Sequence, residues 1–215
     1  KIVINLYNKY GIRYFKIDGV QLSSKLAEIN MINFLNEIKN QTGGKVVFNL
    51  DATAGKRFGY LYQVNFGNIF LENRYTDWRN YYPFWTLRNL WMLSKYIPAQ
   101  NLQIEFLNKW RNIALYEDDK FAPVNYDFDY LFAITMMGQP LAWFETSNLP
   151  EEAMCISSVI KTYRKYQADI HSGLIQPLGE EPSGSSWTGF QSIQQNKGYL
   201  LFFRENNAQN KVKIK

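Results

Sequence analysis

The stretch Ile12–Asp18 reads IRYFKID and is followed at once by Gly19. It is short, β-branched and aromatic, and Gly11 and Gly19 bound it, which is the pattern of a β-strand. Upstream, Ile2–Tyr10 has apolar residues at helical spacing and stops at Gly11, a residue suited to the position just past a helix. Downstream, Ser23 and Ser24 are placed to cap a helix running to about Asn40, with Leu26, Ile29, Ile32, Phe34, Leu35 and Ile38 apolar. Gly43-Gly44 breaks that helix, and Lys45–Asp51 (KVVFNLD) is a second strand that also ends on a carboxylate.

The unit then repeats. Residues 52–65 read as a loop or short helix, and Asn68–Arg74 (NIFLENR) reads as a strand. Pro83 suits the first turn of a helix to about Tyr96, which Pro98 stops. Leu102–Leu107 (LQIEFL) is a strand, residues 108–125 a long loop, Asp127–Met137 a helix and Pro140–Glu145 (PLAWFE) a strand. Pro150–His171 is a helix with Glu151 and Glu152 in its first turn, where acids favour the dipole. Strand alternating with helix five times is the pattern of a parallel α/β sheet. Polar residues gather at the strand ends: Lys16 and Asp18, Asp51, Glu72 with Arg74, Asn108, Glu145. Open α/β sheets and (β/α)8 barrels both place their sites there. No glycine-rich dinucleotide or phosphate loop follows a strand, so a barrel is favoured. The expected fold class is α/β: the C-terminal portion of a (β/α)8 TIM barrel, about strands 4–8, over residues 1–175. Residues 176–215 are expected to hold a linker and the first strands of an antiparallel β-sandwich, with GYLLFFRENN and KVKIK as strands. The N-terminal half of the barrel is expected upstream in the parent protein.

Composition narrows the functions. The 215 residues are 46% hydrophobic and 20% charged, as in a globular protein. No apolar run is long enough to span a membrane. The net charge of +5 comes from scattered residues rather than one basic face, which argues against nucleic acid. The chain opens on Lys1 without a leader, so any secretory or periplasmic signal is expected upstream with the rest of the barrel. One cysteine and one histidine, Cys155 and His171, exclude a Cys- or His-rich metal site. Cys155 lies in an apolar helical pattern and is expected to be buried. Aromatic residues reach 17%, which serves a core of large rings and also surfaces that stack on sugars.

Glycosidic bonds are cleaved between two carboxyl groups. Asp18 ends the first strand, and Asp77 (ENRYTDWRNYY) lies just past the third, two strand–helix units later. Each also has a plainer reading: Asp-Gly forms turns, and an Asp before a helix caps it. Asp51 and Glu72 compete for the acid role, or bind sugar hydroxyls. Lys16 or Arg74 beside a carboxylate would keep it ionised, as a nucleophile requires.

These residues resemble a family. Tyr14–Gly19 (YFKIDG) is similar to the fourth-strand motif of the α-galactosidase clan, glycoside hydrolase families 27 and 36: an apolar run, Lys, an apolar or aromatic residue, then Asp. The resemblance implies that Asp18 is the nucleophile and that Lys16 touches substrate. Arg74–Asp77 (RYTD) resembles the clan's acid/base motif at the sixth strand, which makes Asp77 the acid/base. Asp51 takes the place of a substrate-binding acid of the fifth strand, and Glu72 and Arg74 join the substrate-binding set. PLGEEPSGSSWTGFQS followed by GYLLFFREN resembles the family-36 passage from barrel to β-sandwich. The usual KWD and SDN of that family are KID and TDW here. The implied activity is retaining hydrolysis of a terminal α-linked galactoside-like sugar, with a carbohydrate as partner, no metal and no organic cofactor. Two alternatives stand beside it: an inactive carbohydrate-binding relative, and an unrelated barrel lyase or isomerase using Lys16 as a reactive amine.

Overall fold

A computed structural model describes residues 1–51, 63–71, 82–116, 118–144, 146–147 and 149–213. The chain divides into two compact units, residues 1–72 and 73–215.

In the first unit, helix α1 (Ile2–Tyr10) leads into strand β1 (Tyr14–Ile17), and helix α2 (Lys25–Gln41) into strands β2 (Val47–Asp51) and β3 (Gly67–Leu71). The local signals act as expected. Gly11 adopts a left-handed conformation after α1 and donates its N–H to the Tyr7 carbonyl. The Ser24 hydroxyl caps α2 by accepting from the Ala27 N–H at 3.2 Å. β1, β2 and β3 pair in parallel in that order, with Lys16 opposite Asn49 and Asn49 opposite Asn68. Side chains in register on paired strands share a face, and successive residues alternate. Phe15, Ile17, Phe48 and Leu50 therefore face one way, where they pack with Leu35 and Ile38 of α2 and Val3, Ile4 and Tyr7 of α1. Lys16, Asn49, Asp51, Asn68 and Phe70 fall on the opposite face. Gly67 opens β3 because nothing larger fits: a Cβ there would lie 2.1 Å from the Phe48 carbonyl oxygen.

In the second unit, helix α3 (Pro83–Leu93) has Pro83 in its first turn. Strands β4 (Leu102–Phe106) and β5 (Gln139–Ala142) pair in parallel, with helix α4 (Phe128–Ala133) between them in sequence. The Phe106 ring sits 4.9 Å from Phe128 and 5.6 Å from Phe132 of α4, so Gln103 and Glu105 point to the other side of the strand. Helix α5 (Ile156–Ser172) then leads to an antiparallel sheet, β6 (Leu174–Gly179), β7 (Trp187–Ile193) and β8 (Gly198–Arg204), in that order. The sheet is fastened to the helices: the Trp91 indole N–H donates to the Leu178 carbonyl at 3.2 Å, and the Ser192 hydroxyl to the Ile170 carbonyl at 2.6 Å.

Several sequence expectations change in detail. The strand expected over Ile12–Asp18 is confined to Tyr14–Ile17, with Asp18 just beyond its end and Gly19 left-handed. The helix expected to Met137 stops at Ala133, where Thr135 turns its hydroxyl back to the Phe132 carbonyl at 2.7 Å. Cys155 is exposed, not buried. It lies in a 3-10 turn, Glu151–Cys155, whose inward positions go to Ala153 and to Ile156 just after it. The Gly-, Pro- and Ser-rich stretch after Ser172 contains β6 and β7; Pro177 is tolerated because β6 is an edge strand of its sheet. GYLLFFR forms β8 as expected, whereas Lys211–Lys213 of KVKIK are not in a strand. Among the described residues no helix is long and apolar enough to cross a membrane.

Phe48 is 1% exposed and Leu26 66% exposed. Phe48→Ala is expected to lower stability by about 3–5 kcal/mol, and Leu26→Ala to stay within about 0.5 kcal/mol, both read by urea unfolding. A second expectation concerns His171, whose Nε2 lies 3.2 Å from the Tyr163 hydroxyl and 3.2 Å from the Met136 carbonyl. Burial pushes its imidazole below the ordinary 6.5, against the backbone hydrogen bonds that favour the charged form. The unfolded chain then takes up the proton first, so stability should fall as pH drops below about 6.5. His171→Gln should flatten that part of a stability–pH curve, and an unchanged curve would refute the assignment.

Candidate active site

The polar face of the first unit carries three of the residues that the sequence singled out, Lys16, Asp18 and Asp51. Asp18 follows β1 directly, and Asp51 closes β2. One more step of the parallel register beyond Ile17 and Leu50 sets the two acids side by side. Lys16, two residues before Asp18 and on the same face, donates a hydrogen bond to its carboxylate. The Lys16 ammonium also sits 4.3 Å above the Phe70 ring, a cation–π contact across the sheet.

The Lys16 hydrogen bond holds the Asp18 carboxyl below its ordinary range. Partial burial opposes it, while the Lys16 charge, the Gly19 N–H and a hydrogen bond involving Asp51 add to it. Asp18 is therefore an ionised and accessible carboxylate: its side chain is 53% exposed. Asp51, by contrast, is 3% exposed. The Gln63 side-chain amide donates to the Asp51 carbonyl at 3.4 Å from a buried position. A small cavity of about 20 Å³ lies between Gln63, Asp51, Ile17, Val20, Leu22 and Met31.

The pairing bears on the alternative chemistry of Lys16. A reactive amine is made by burial away from counter-charge. Lys16 instead has an acid partner at its own strand end. Asp77, Glu72 and Arg74, with Glu145, lie outside the described residues. Asn108 spends its side-chain oxygen locally, accepting from the Trp110 N–H at 2.9 Å in a turn.

Three polar residues escaped the sequence reading. Asn49 on β2 and Glu105 on β4 are almost fully buried, on the sides of their strands turned from the helices. Their signal was the period of two in NLD and QIE, which the count of strand-end residues passed over. Lys109, just past β4, is also buried; its ammonium donates to the Tyr126 carbonyl at 2.6 Å and to Glu152 at 3.4 Å. Among the described residues no group of three or more His, Cys, Asp or Glu could hold a metal ion.

No family model matches the chain, and no protein of curated function does. Solved structures do. The galactosidase domain of an α-galactosidase–sucrose kinase, AgaSK, superposes with a TM-score of 0.66 at 16% identity, over 90% of this chain and 26% of that one. The family-36 α-galactosidase AgaB of Geobacillus stearothermophilus gives 0.59 at 13% identity, over 89% of this chain and 27% of that one. A variant of AgaA from the same organism, in complex with 1-deoxygalactonojirimycin, gives 0.59 at 12% identity, over 91% of this chain and 30% of that one. The chain thus has the fold of a part of family-36 α-galactosidases, and it spans between a quarter and a third of their length.

Replacing Lys16 by Met should remove the dominant contribution to Asp18 and raise its titration. Carboxyl-carbon NMR of the labelled protein reads this directly; an Asp18 curve that does not move would show that Lys16 does not set its charge.

Proposed function

We propose that the polypeptide containing this chain is a retaining glycoside hydrolase acting on terminal α-linked galactoside-like sugars, with Asp18 as its nucleophile. The observation that carries this reading is the Lys16–Asp18 pair: an exposed carboxylate kept ionised at the C-terminal end of a parallel strand. Active sites of α/β barrels lie at that end. The fold shared with family-36 α-galactosidases supports the reading. On it, β1 to β5 are strands four to eight of a (β/α)8 barrel over residues 1–175. Residues 176–215 then begin the C-terminal β-domain.

The chemistry runs in two steps. An Asp18 carboxylate oxygen attacks the anomeric carbon from the face opposite the leaving group. As that C–O bond breaks, Asp77 gives its proton to the departing oxygen, leaving a glycosyl ester on Asp18. Asp77, now ionised, takes a proton from a water that attacks the same carbon. The ester bond breaks, Asp18 returns to its carboxylate, and the sugar leaves with its original configuration. The ammonium of Lys16 keeps Asp18 ionised before attack and offers a donor to a sugar hydroxyl. Asp51, Glu72 and Arg74 complete the substrate-binding set. The mechanism needs no metal or organic cofactor.

Asp18→Asn in the full-length parent should abolish release of phenol from an aryl α-galactoside; unchanged turnover would discard the nucleophile. In Asp18→Gly, added azide should restore turnover by filling the vacated space, and the product should be the β-glycosyl azide. The Asp18 and Asp77 carboxyls should lie about 5–7 Å apart in an inhibitor complex, near the spacing of retaining enzymes. A much wider gap in the crystal would hand the acid role to Glu72 or Asp51.

A further inference from the structure

Phe70 reads in sequence as one more apolar residue of a buried strand, yet the parallel register turns it away from the core. Its neighbour Ile69 pairs with Leu50 on the helix side, whereas Phe70 pairs with Asp51 on the other side. One further step of the β1–β2 register brings Asp18 beside Asp51. Asp18, Asp51 and Phe70 thus form one row across three strands, and Lys16, Asn49 and Asn68 form the row before it. An aromatic ring stands in line with two acids.

The Lys16 ammonium joins the ends of that row. It donates a hydrogen bond to the Asp18 carboxylate just after β1, and it lies 4.3 Å from the centre of the Phe70 ring on β3. Strands lie about 4.8 Å apart, so a four-carbon stem can carry the charge over the strand between. A ring attracts a cation through its π-electron quadrupole, without a counter-charge and without taking a proton. Phe70 is 1% exposed, so its own packing fixes it and it does not follow the ammonium. The Lys16 side chain is 24% exposed, and a cation largely withdrawn from water feels a ring more strongly.

During the proposed reaction these two partners of Lys16 behave differently. Attack on the anomeric carbon turns the Asp18 carboxylate into a neutral glycosyl ester, and water later restores its charge. Through the ester stage the ion pair is gone and the ring contact stays. We propose that Phe70 is a positioning residue: its ring seats the Lys16 ammonium against Asp18 and holds it beside the sugar while Asp18 is esterified. Phe70 acts through Lys16 and has no reacting atom of its own. The kinetic part of this role rests on the glycosidase reading, but the seating of Lys16 does not.

The test replaces Phe70 in the full-length parent by Leu and by pentafluorophenylalanine. The fluorinated ring keeps the shape of Phe and loses the negative face that attracts a cation. Carboxyl-carbon NMR then reads Asp18 without any activity. Its titration should rise in the fluorinated protein, in the direction of Lys16→Met but by less. In a Lys16→Met background the fluorinated ring should move it no further, because both changes act through one ammonium. An Asp18 titration that stays put, that moves only in Phe70→Leu, or that still moves without Lys16 would overturn the seating. Kinetics test the ester stage. With an aryl α-galactoside whose phenol leaves readily, kcat follows breakdown of the ester and kcat/KM its formation. The fluorinated protein should lose several-fold in kcat and less in kcat/KM; an equal or larger loss in kcat/KM would refute a role in the ester. If the wild-type parent hydrolyses no glycoside, the ester stage falls with the function, while the titrations still decide the seating.

Discussion

Parallel pairing of β1 on β2, with Lys16 across from Asn49, sorts every side chain of this region onto one of two faces. Phe15, Ile17, Phe48 and Leu50 go to the helices and make the core. Lys16, Asn49 and Asp51 are left on the other side, with Asp18 at the rim. A slip of one residue would exchange the two sets, placing a lysine and two carboxyl groups against α2. The register is thus held by the same apolar burial that makes the polar face, and the candidate site is the complement of the core.

On that face, the Lys16–Asp18 pair contributes little to stability, since exposed ion pairs are screened and entropically costly. Its effect lies in protonation. A carboxylate with an ammonium hydrogen-bonded to it stays charged at pH values where a lone one begins to protonate. Phe70, beneath the ammonium, gives Lys16 a second reason to stay where it is. The arrangement suits a nucleophile and does not suit an amine that must shed its proton.

Much of this was legible in the sequence, because local signals carried it. Gly11 after α1, Ser24 before α2 and Pro83 at the start of α3 marked boundaries through their own backbone chemistry. The strand-end acids stood out because glycine or a change of texture followed them. What escaped depended on contacts distant in sequence. Cys155 looked buried from its apolar neighbours, yet a 3-10 turn rotated it outward. Glu105 looked like one polar residue in an apolar strand; only the packing of Phe106 on α4 shows which way it faces. The grip of Glu205, whose carboxylate accepts the backbone N–H groups of Ser183, Gly184 and Ser186, could not be read at all, because nothing in either segment names the other.

That grip also imposes an order on the chain's synthesis. The donors at Ser183, Gly184 and Ser186 precede their acceptor by 22, 21 and 19 residues. As the polypeptide is synthesised, the strands through β7 and the SGSS loop (residues 183–186) are made before Glu205. Until it arrives, the three amides lack the acceptor that they have in the folded chain. Glu205 directly follows β8, so the loop between β6 and β7 gains its acceptor only once β8 has been made.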